Sequence, residues 1–419
     1  MLEGIKAFYN SFMRSAEIRK KILFTLLIFV IFRLLATVPV VGIPREALEE
    51  LFAQSGFFEV VSTVSGGVLE TASLVAVGLI PYINASIIFQ LLSAVVPKLK
   101  EIKKEGSQGQ RKINMYTRYL ALPLAFMQSF VIYSTLRGFG LVGELAPLEL
   151  LAMAITLTGG AMVMMWLGEL VTESGLSNGI SFLIFAGIVS MLPSGLIQNF
   201  QYMDTLERTV VIIIFALIFA AVVYVNQGER RIKVLYSRRG KNGASMENYL
   251  PIKLIQFGVL PVIFAMSLVS FPQLIAQFFV AREIFTEQAS TMLYLLANPY
   301  IENLTIFLFV VGFSFFYITI VFNTQELAEN LQKQGAFISG IRPGRATAEY
   351  LRKVSFRLTT VGALFLGLIA ILPNILVHVG IIQTMLISGT GLLIAVSVCL
   401  EMKRKYEALM VVRSYDKYI

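Results

Sequence analysis

The sequence predicts an all-α membrane protein that crosses the bilayer ten times. Hydrophobic residues make up 56% of the 419 residues and charged residues only 15%, a balance that argues against a soluble fold. The apolar residues form long runs instead of alternating with polar ones, which argues against a transmembrane barrel. Most of the 35 lysines and arginines lie in a few polar segments between these runs. These three observations indicate a polytopic helical bundle.

Each apolar run is long enough for a membrane helix. A hydrocarbon core about 30 Å thick needs roughly 20 helical residues to cross it. The predicted spans are 22–41, 72–96, 119–135, 148–170, 180–197, 210–225, 252–271, 304–322, 358–377 and 381–400. An even number of spans puts both ends of the chain on the same side of the membrane.

The charges between the spans predict which side that is. Basic residues cluster in 1–21, 97–116, 227–253, 324–357 and 403–419. The polar segments on the opposite side of the predicted spans carry only four: Arg45, Arg137, Arg208 and Arg282. Because cytoplasmic loops collect lysine and arginine, both termini are predicted to be cytoplasmic. Residues 1–21 have the pattern of an amphipathic interfacial helix, and 403–419 form a cytoplasmic tail.

Two features differ from a plain ten-helix bundle. Residues 57–64 are apolar but too short to cross, and Gly66 and Gly67 separate them from the second span. This piece either re-enters the membrane, which would indicate an aqueous interior, or forms an external amphipathic helix.

Prolines and glycines within the predicted spans are the second feature. They are Pro81, Pro123, Gly159, Gly160, Pro261, Gly389 and Gly391. They indicate either interrupted helices around a pathway or close packing of helices through small residues.

The residues give little support to enzyme chemistry. His378 is the only histidine and Cys399 the only cysteine, so we expect no metal and no cofactor. The GxGxxG match at 138–143 has no βαβ context, and no GxxxxGK[ST] motif occurs. Arg33 is a cation in the middle of the first span, with either a functional or a structural role.

Several motifs, in order along nearly the whole chain, give a resemblance to a known family. They are GLIPYINASI (78–87), KKEGSQGQRK (103–112), WLGE (166–169), ESGLSNGIS (173–181), FAGI (185–188), GERRI (228–232), GVLPVIF (258–264), NLQKQGAF (330–337) and GIRPG (340–344). In these motifs the sequence resembles the SecY family of protein-conducting channels. The resemblance implies two pseudo-symmetric five-helix halves, 22–200 and 201–402, around a central pore.

The resemblance also implies site residues. The pore ring of apolar side chains maps to Ile83, Ile87, Ile180, Ile184, Ile263 and Ile394. The plug near 57–70 includes Val60, Val61, Val64, Gly66 and Gly67, and the lateral gate, between spans two and three and spans seven and eight, includes Ser93, Gln128 and Gln256. The docking residues are Arg238, Arg239 and Arg342.

The function implied by the resemblance is translocation of unfolded polypeptides and lateral release of transmembrane segments into lipid. The implied partners are SecE-like and SecG-like subunits, the SecA motor ATPase, the ribosome through its RNA, signal peptides and nascent chains, and membrane lipids. The location would be the cytoplasmic membrane of a prokaryote. From the residues alone, two alternatives stay open. One is an ion-coupled small-molecule transporter, although no carboxylate lies mid-span. The other is an intramembrane insertase without a through-pore.

Overall fold

The computed structural model describes residues 16–40, 73–138, 142–202, 204–239, 245–256, 258–281, 286–296, 298–378 and 389–416. This part of the chain is mostly helical. Contacts divide the chain into two compact units. The first comprises Met1–Tyr202, Met266–Glu302 and Thr384–Ile419, and the second comprises Met203–Ala265 and Asn303–Gln383. The predicted boundaries at 22–200, 201–402 and 403–419 stay predictions.

The described residues form helices α1 to α13 and strands β1 to β3. The helices are α1 (Ala16–Leu35), α2 (Ile80–Val95), α3 (Pro97–Lys104), α4 (Ser107–Gly138), α5 (Pro147–Ser174), α6 (Gly179–Tyr202), α7 (Thr205–Gln227), α8 (Leu260–Ala281), α9 (Thr286–Leu296), α10 (Pro299–Val321), α11 (Thr324–Lys333), α12 (Arg345–His378) and α13 (Gly389–Asp416). In the first unit α2 packs on α4, α4 on α5, α5 on α6, and α6 on α13, while α1 contacts α5 and α6.

The described helices establish a multi-pass membrane protein. Four apolar helical segments are long enough to cross a bilayer: Pro147–Ser174, Thr205–Gln227, Pro299–Lys333 and Arg345–Leu376. The pair Ile80–Ser93 and Pro97–Lys103, bent by 104°, makes a fifth if it counts as one span. Val96, at this bend, is extended (φ −87°, ψ 113°) because the residue before a proline disfavours the helical region. The count of ten stays a prediction.

The second and seventh spans begin later than predicted. Residues 73–79 form a bridge and turns before α2, and 252–253 belong to a strand that precedes α8. Pro81 and Pro261 therefore lie in the first turns of α2 and α8, where a missing backbone N–H costs nothing. Neither proline interrupts a helix in mid-span, whereas Pro123 lies inside α4.

A small sheet makes the all-α prediction incomplete. Strands β1 (Glu229–Arg239), β2 (Ser245–Lys253) and β3 (Ala336–Ile338) form an antiparallel sheet in the order β2-β1-β3. In β1, Ile232 and Val234 are buried while Arg231 and Lys233 are exposed, which is the alternation of a half-buried strand. The high charge of these segments led to their prediction as loops.

The sheet covers a hydrophobic cluster in the second unit. Its buried members come from the sheet, α11 and the beginning of α12: Ile232, Val234, Ile252, Leu331, Ala336, Ile338, Leu351 and Val354. The segments 227–253 and 324–357 therefore fold together around a common apolar core. The prediction of two separate basic loops between membrane spans is therefore incomplete.

Gly160 lies at a close contact between backbones. Helix α5 runs without a break through Gly159 and Gly160. A Cβ at Gly160 would overlap the backbone oxygen of Leu74, whereas a Cβ at the exposed Gly159 would meet nothing within 4 Å. At Gly160 the small residue serves close packing, one of the two interpretations that the sequence left open.

The adjacent glycines give a matched pair of variants. We expect Gly160→Ala to destabilise the protein by about 2 kcal/mol, because the methyl group must push α5 away from Leu74. Gly159→Ala should be neutral or stabilising by up to about 1 kcal/mol through helix propensity. Thermal unfolding in detergent measures both, and equal midpoints for the two variants would contradict the packing argument.

Candidate functional site

The same local structure begins α2 and α8. The sequence Gly-x-x-Pro-x-Ile occurs at 78–83 and again at 258–263. Both glycines adopt left-handed conformations, Gly78 with φ 60° and Gly258 with φ 59°. Ile83 then donates its backbone N–H to Leu79 O at 2.9 Å, and Ile263 donates to Val259 O at 3.0 Å. Two predicted ring residues, one from each unit, thus occupy equivalent places in a repeat that the sequence analysis overlooked.

The remaining ring candidates lie on α2, α6 and α13 of the first unit. Ile83, Ile87, Ile184 and Ile394 are buried, as is Ile263 in the second unit, whereas Ile180 is half-buried. Branched apolar side chains offer no hydrogen bonds, so these positions can exclude water and ions but cannot bind a polar ligand. Burial suits both a pore ring and a packed core, and the ring role stays a prediction.

The beginning of α6 is held by the Asn178 side chain, which precedes it, and by one side chain each from α5 and α13. Asn178 caps α6, its Oδ1 accepting the N–H groups of Ile180 (3.1 Å) and Ser181 (3.5 Å). Thr172 Oγ1 on α5 accepts the N–H of Gly179 at 2.8 Å, and Glu401 Oε1 on α13 accepts that of Asn178 at 3.2 Å. All four N–H groups therefore have acceptors, as a helix N-terminus requires.

Close approach of α5 supports this junction. Thr172 Oγ1 donates to the carbonyl oxygen of Gly168 at 2.8 Å. A Cβ at Gly179 would overlap that same oxygen, so only glycine fits there. Asn178 before Gly179 and an apolar run fits the pattern of an N-cap, and the sequence analysis did not predict this cap. Nothing in the sequence indicated the roles of Thr172 and Glu401.

The gate candidates differ in how their polar groups are satisfied. Ser93 is buried, and its Oγ donates to Phe89 O at 2.6 Å within α2. Gln128 on α4 is half-buried. Both polar atoms of the Gln256 amide are buried and have no partner among the described residues, an arrangement that costs free energy.

Arg342 lies in a tight turn between β3 and α12. Its side chain is exposed, and the nearby Gly340 and Gly344 have φ values of 78° and 93°. The buried Thr347 donates its Oγ1 to the Arg342 carbonyl at 2.9 Å. The turn is thus anchored to the beginning of α12, while the Arg342 side chain is exposed.

Arg238 and Arg239 lie at the end of β1, and Arg239 pairs with Ser245 in the hairpin. Residues 41–72, with the predicted plug, lie outside the described residues, as do most of the predicted N-terminal helix and 417–419 of the tail.

Two interhelical contacts involve arginines of the first unit. The exposed Arg33 on α1 donates from Nη1 to Ser190 Oγ on α6 at 3.2 Å, a neutral partner that ties the two helices together. Arg118 Nε on α4 lies 2.6 Å from Glu169 Oε1 on α5. Among the described residues, no group of three or more His, Cys, Asp or Glu side chains could hold a metal ion.

Comparisons with known proteins agree on one family. The family model for SecY matches residues 73–403. Protein translocase subunit SecY of Streptomyces galbus is 39% identical over 437 residues, which cover 99% of this chain and 100% of that protein. The subunit of the same name from Mycobacterium tuberculosis H37Rv is 36% identical over 445 residues, with the same coverage of both chains.

Solved structures share the fold. A protein-conducting channel has a TM-score of 0.69 at 19% identity, over 93% of this chain and 92% of that one. Sec61 in a canine ribosome-channel complex has a TM-score of 0.65 at 19% identity, with the same coverage. With the full-length identity to bacterial relatives, these matches show that the chain belongs to the SecY family of protein translocase subunits.

Proposed function

We propose that the chain forms a channel through which unfolded secretory polypeptides cross a membrane, and from which transmembrane segments leave sideways into lipid. The observation that carries the proposal is the 39% identity to a bacterial SecY over 99% of the chain. The channel performs no catalysis of its own, and the energy for transport comes from partners.

The proposed architecture is ten spans in two five-helix halves, residues 22–200 and 201–402, around a central pore. The repeated Gly-x-x-Pro-x-Ile starts of α2 and α8 support it, because they place Ile83 and Ile263 alike in two different parts of the chain. The basic segments support cytoplasmic termini. The proposed location is the cytoplasmic membrane of a prokaryote, because the relatives at 36–39% identity come from bacteria.

In the proposed mechanism the pore ring seals the channel. Its members are Ile83, Ile87, Ile180, Ile184, Ile263 and Ile394. A constriction of branched apolar side chains resists ions by dewetting. The same side chains offer a passing polypeptide no hydrogen bonds, so the chain can slide through without being held. The plug near 57–70 closes the external side at rest.

Lateral release requires helices that part. We assign Ser93, Gln128 and Gln256 to this gate. The amide of Gln256, which is buried and has no hydrogen-bond partner among the described residues, supports its assignment, because a change in its surroundings would break no hydrogen bond of this group. Interhelical hydrogen bonds in membranes contribute only about 1 kcal/mol each, so an apolar signal segment can replace them.

The three-stranded sheet is the proposed docking platform. Its basic residues include Arg230 and Arg231, both exposed, as well as Arg238 and Arg239, and a positive surface of this kind suits ribosomal RNA. Two structural relatives are ribosome-bound channels, canine Sec61 and yeast Ssh1. The exposed Arg342 is proposed to contact a SecA-type motor, while SecE-like and SecG-like subunits complete the complex.

Transport of a preprotein tests the function directly. Vesicles that contain the chain with its small subunits should move a secretory preprotein into the lumen when the motor and ATP are supplied outside. Protection of the preprotein from protease measures this transport. An ion-coupled small-molecule transporter would leave the preprotein fully accessible, and that result would refute the channel.

Arg342→Glu tests the docking assignment. We expect motor-driven secretion to fall about tenfold or more, because charge reversal at a complementary interface opposes binding. Insertion and thermal stability should stay unchanged, because the side chain is exposed.

Arg345→Glu is the matched control. Arg345 lies in the same region, its side chain is 94% exposed, and it forms an ion pair with Glu349 one turn further along α12. Secretion should stay near wild type in this variant. Equal losses in the two variants would mean that secretion responds to the general positive charge of the region and would remove the specific role of Arg342.

Replacement of both Ile83 and Ile184 by glycine tests the seal. The constriction should widen and hydrate, so we expect an ion conductance in planar bilayers without preprotein. The control replaces Ile155 and Ile213, which are 58% and 53% exposed, so that two isoleucines are again lost but not from the ring. If both double variants leak equally, or neither does, the ring assignment is wrong.

A further inference from the structure

We propose that Glu401 is a positioning residue that sets the register of α13 against α6, and thereby the depth at which Ile394 lies beside Ile184. This inference rests on the pore ring of the proposed function. Its basis is the hydrogen bond of 3.2 Å from the Asn178 N–H to Glu401 Oε1, the contact that α13 makes with the beginning of α6.

The hydrogen bond joins a fixed point on α6 to a fixed point on α13. Asn178, Gly179 and the following turn are already held by Thr172 and by the Asn178 cap, so the N–H of Asn178 has a defined place and direction. A carboxylate is favoured there because the N-terminus of a helix carries partial positive charge. The bond ties α13 to that point.

The burial of α13 shows that its N-terminal part packs inside the protein. Almost every residue from Thr390 to Val398 is buried, whereas none of the described side chains from Glu401 to Val411 is buried. Since α13 packs on α6, the part of α13 that contacts α6 precedes Glu401. From the Asn178–Glu401 hydrogen bond, α6 continues toward its C-terminus and the packed part of α13 continues toward its N-terminus. The two helices therefore run antiparallel.

Helix geometry then places the two ring residues at one depth. Ile184 follows Asn178 by six residues, about 9 Å along α6 at 1.5 Å per residue. Ile394 precedes Glu401 by seven residues, about 10.5 Å along α13 in the same direction. A separation of seven residues is close to two full turns, so Ile394 and Glu401 share the face toward α6. Both isoleucines are buried, 1% and 0% exposed.

Apolar packing alone would leave this depth poorly specified. Ridges on one helix fit the grooves of another in similar ways after a shift of about one turn, or 5.4 Å. Such a shift would carry Ile394 away from Ile184 and replace it with Thr390 or Val398, which lie four residues to either side. A single directional hydrogen bond at the end of the pair selects one register among these.

Cysteine cross-linking reads the register directly. In a Cys399→Ser background, Ile184→Cys is combined in turn with Thr390→Cys, Ile394→Cys and Val398→Cys, and a short bifunctional thiol reagent is applied to the assembled complex in membranes. With Glu401 present, the pair of positions 184 and 394 should cross-link most. Glu401→Ala should reduce this preference about tenfold, as expected for the loss of a hydrogen bond to a charged group.

Two further variants separate positioning from general structure. Glu401→Gln keeps an acceptor oxygen in the same place but loses the charge, so it should retain more of the preference than Glu401→Ala does. Glu407→Ala removes an exposed glutamate of the same helix, which forms an ion pair with Lys403 at 3.7 Å. This variant should retain the wild-type cross-linking preference. If Glu401→Ala does not accumulate, Glu401→Asp replaces it, because its carboxylate is one methylene too short to reach Asn178.

Resting conductance, measured in the same variants without the cysteines, distinguishes this inference from the ring. Loss of the cross-linking preference together with an ion leak supports both the positioning role of Glu401 and the pore ring. Loss of the preference without a leak supports the positioning role of Glu401 and contradicts the ring. An unchanged preference in Glu401→Ala, or in Glu401→Asp where that variant is used, overturns the positioning role whatever the conductance.

Discussion

Hydrocarbon offers no hydrogen-bonding partner to a backbone amide or carbonyl, so a chain within it must satisfy these groups internally. Helices do so along their length, and hydroxyl groups within them follow the same rule. Thr25, Ser129 and Ser314 each donate to the carbonyl oxygen four residues earlier. Where the backbone is irregular, as at 73–79, it finds partners nearby: Leu74 N–H donates to Val38 O at 2.8 Å, and Ser73 bridges to Pro39.

Helix ends are the places where this constraint is hardest to meet. At the beginning of α6 the acceptors come from Asn178, Thr172 and Glu401. The need to satisfy four N–H groups thus draws α5, α6 and α13 to one point. Two of these helices carry ring candidates. The hydrogen bonds that satisfy the beginning of α6 thereby also hold in place the helices that carry these apolar side chains.

The sheet of the second unit obeys the physics of a water-soluble domain. β1 buries Ile232 and Val234 against α11 and α12, while Arg230, Arg231 and Lys233 are exposed. Arg342 extends from a turn whose carbonyl is bonded to the buried Thr347. This bond fixes the backbone position of the cation, whereas a topology signal needs only the charge.

The sequence by itself determined the helical membrane class, the order of most helices and the family, because long apolar runs, clustered basic residues and extended motifs are local properties. Only the tertiary structure decided which positions depend on neighbours far along the chain. Gly160 is confined by Leu74, β3 pairs with β1 across about a hundred residues of sequence, and Glu401 meets Asn178, 223 residues away. None of these contacts leaves a periodic signal, because each is made by a single residue whose partner is chosen by packing.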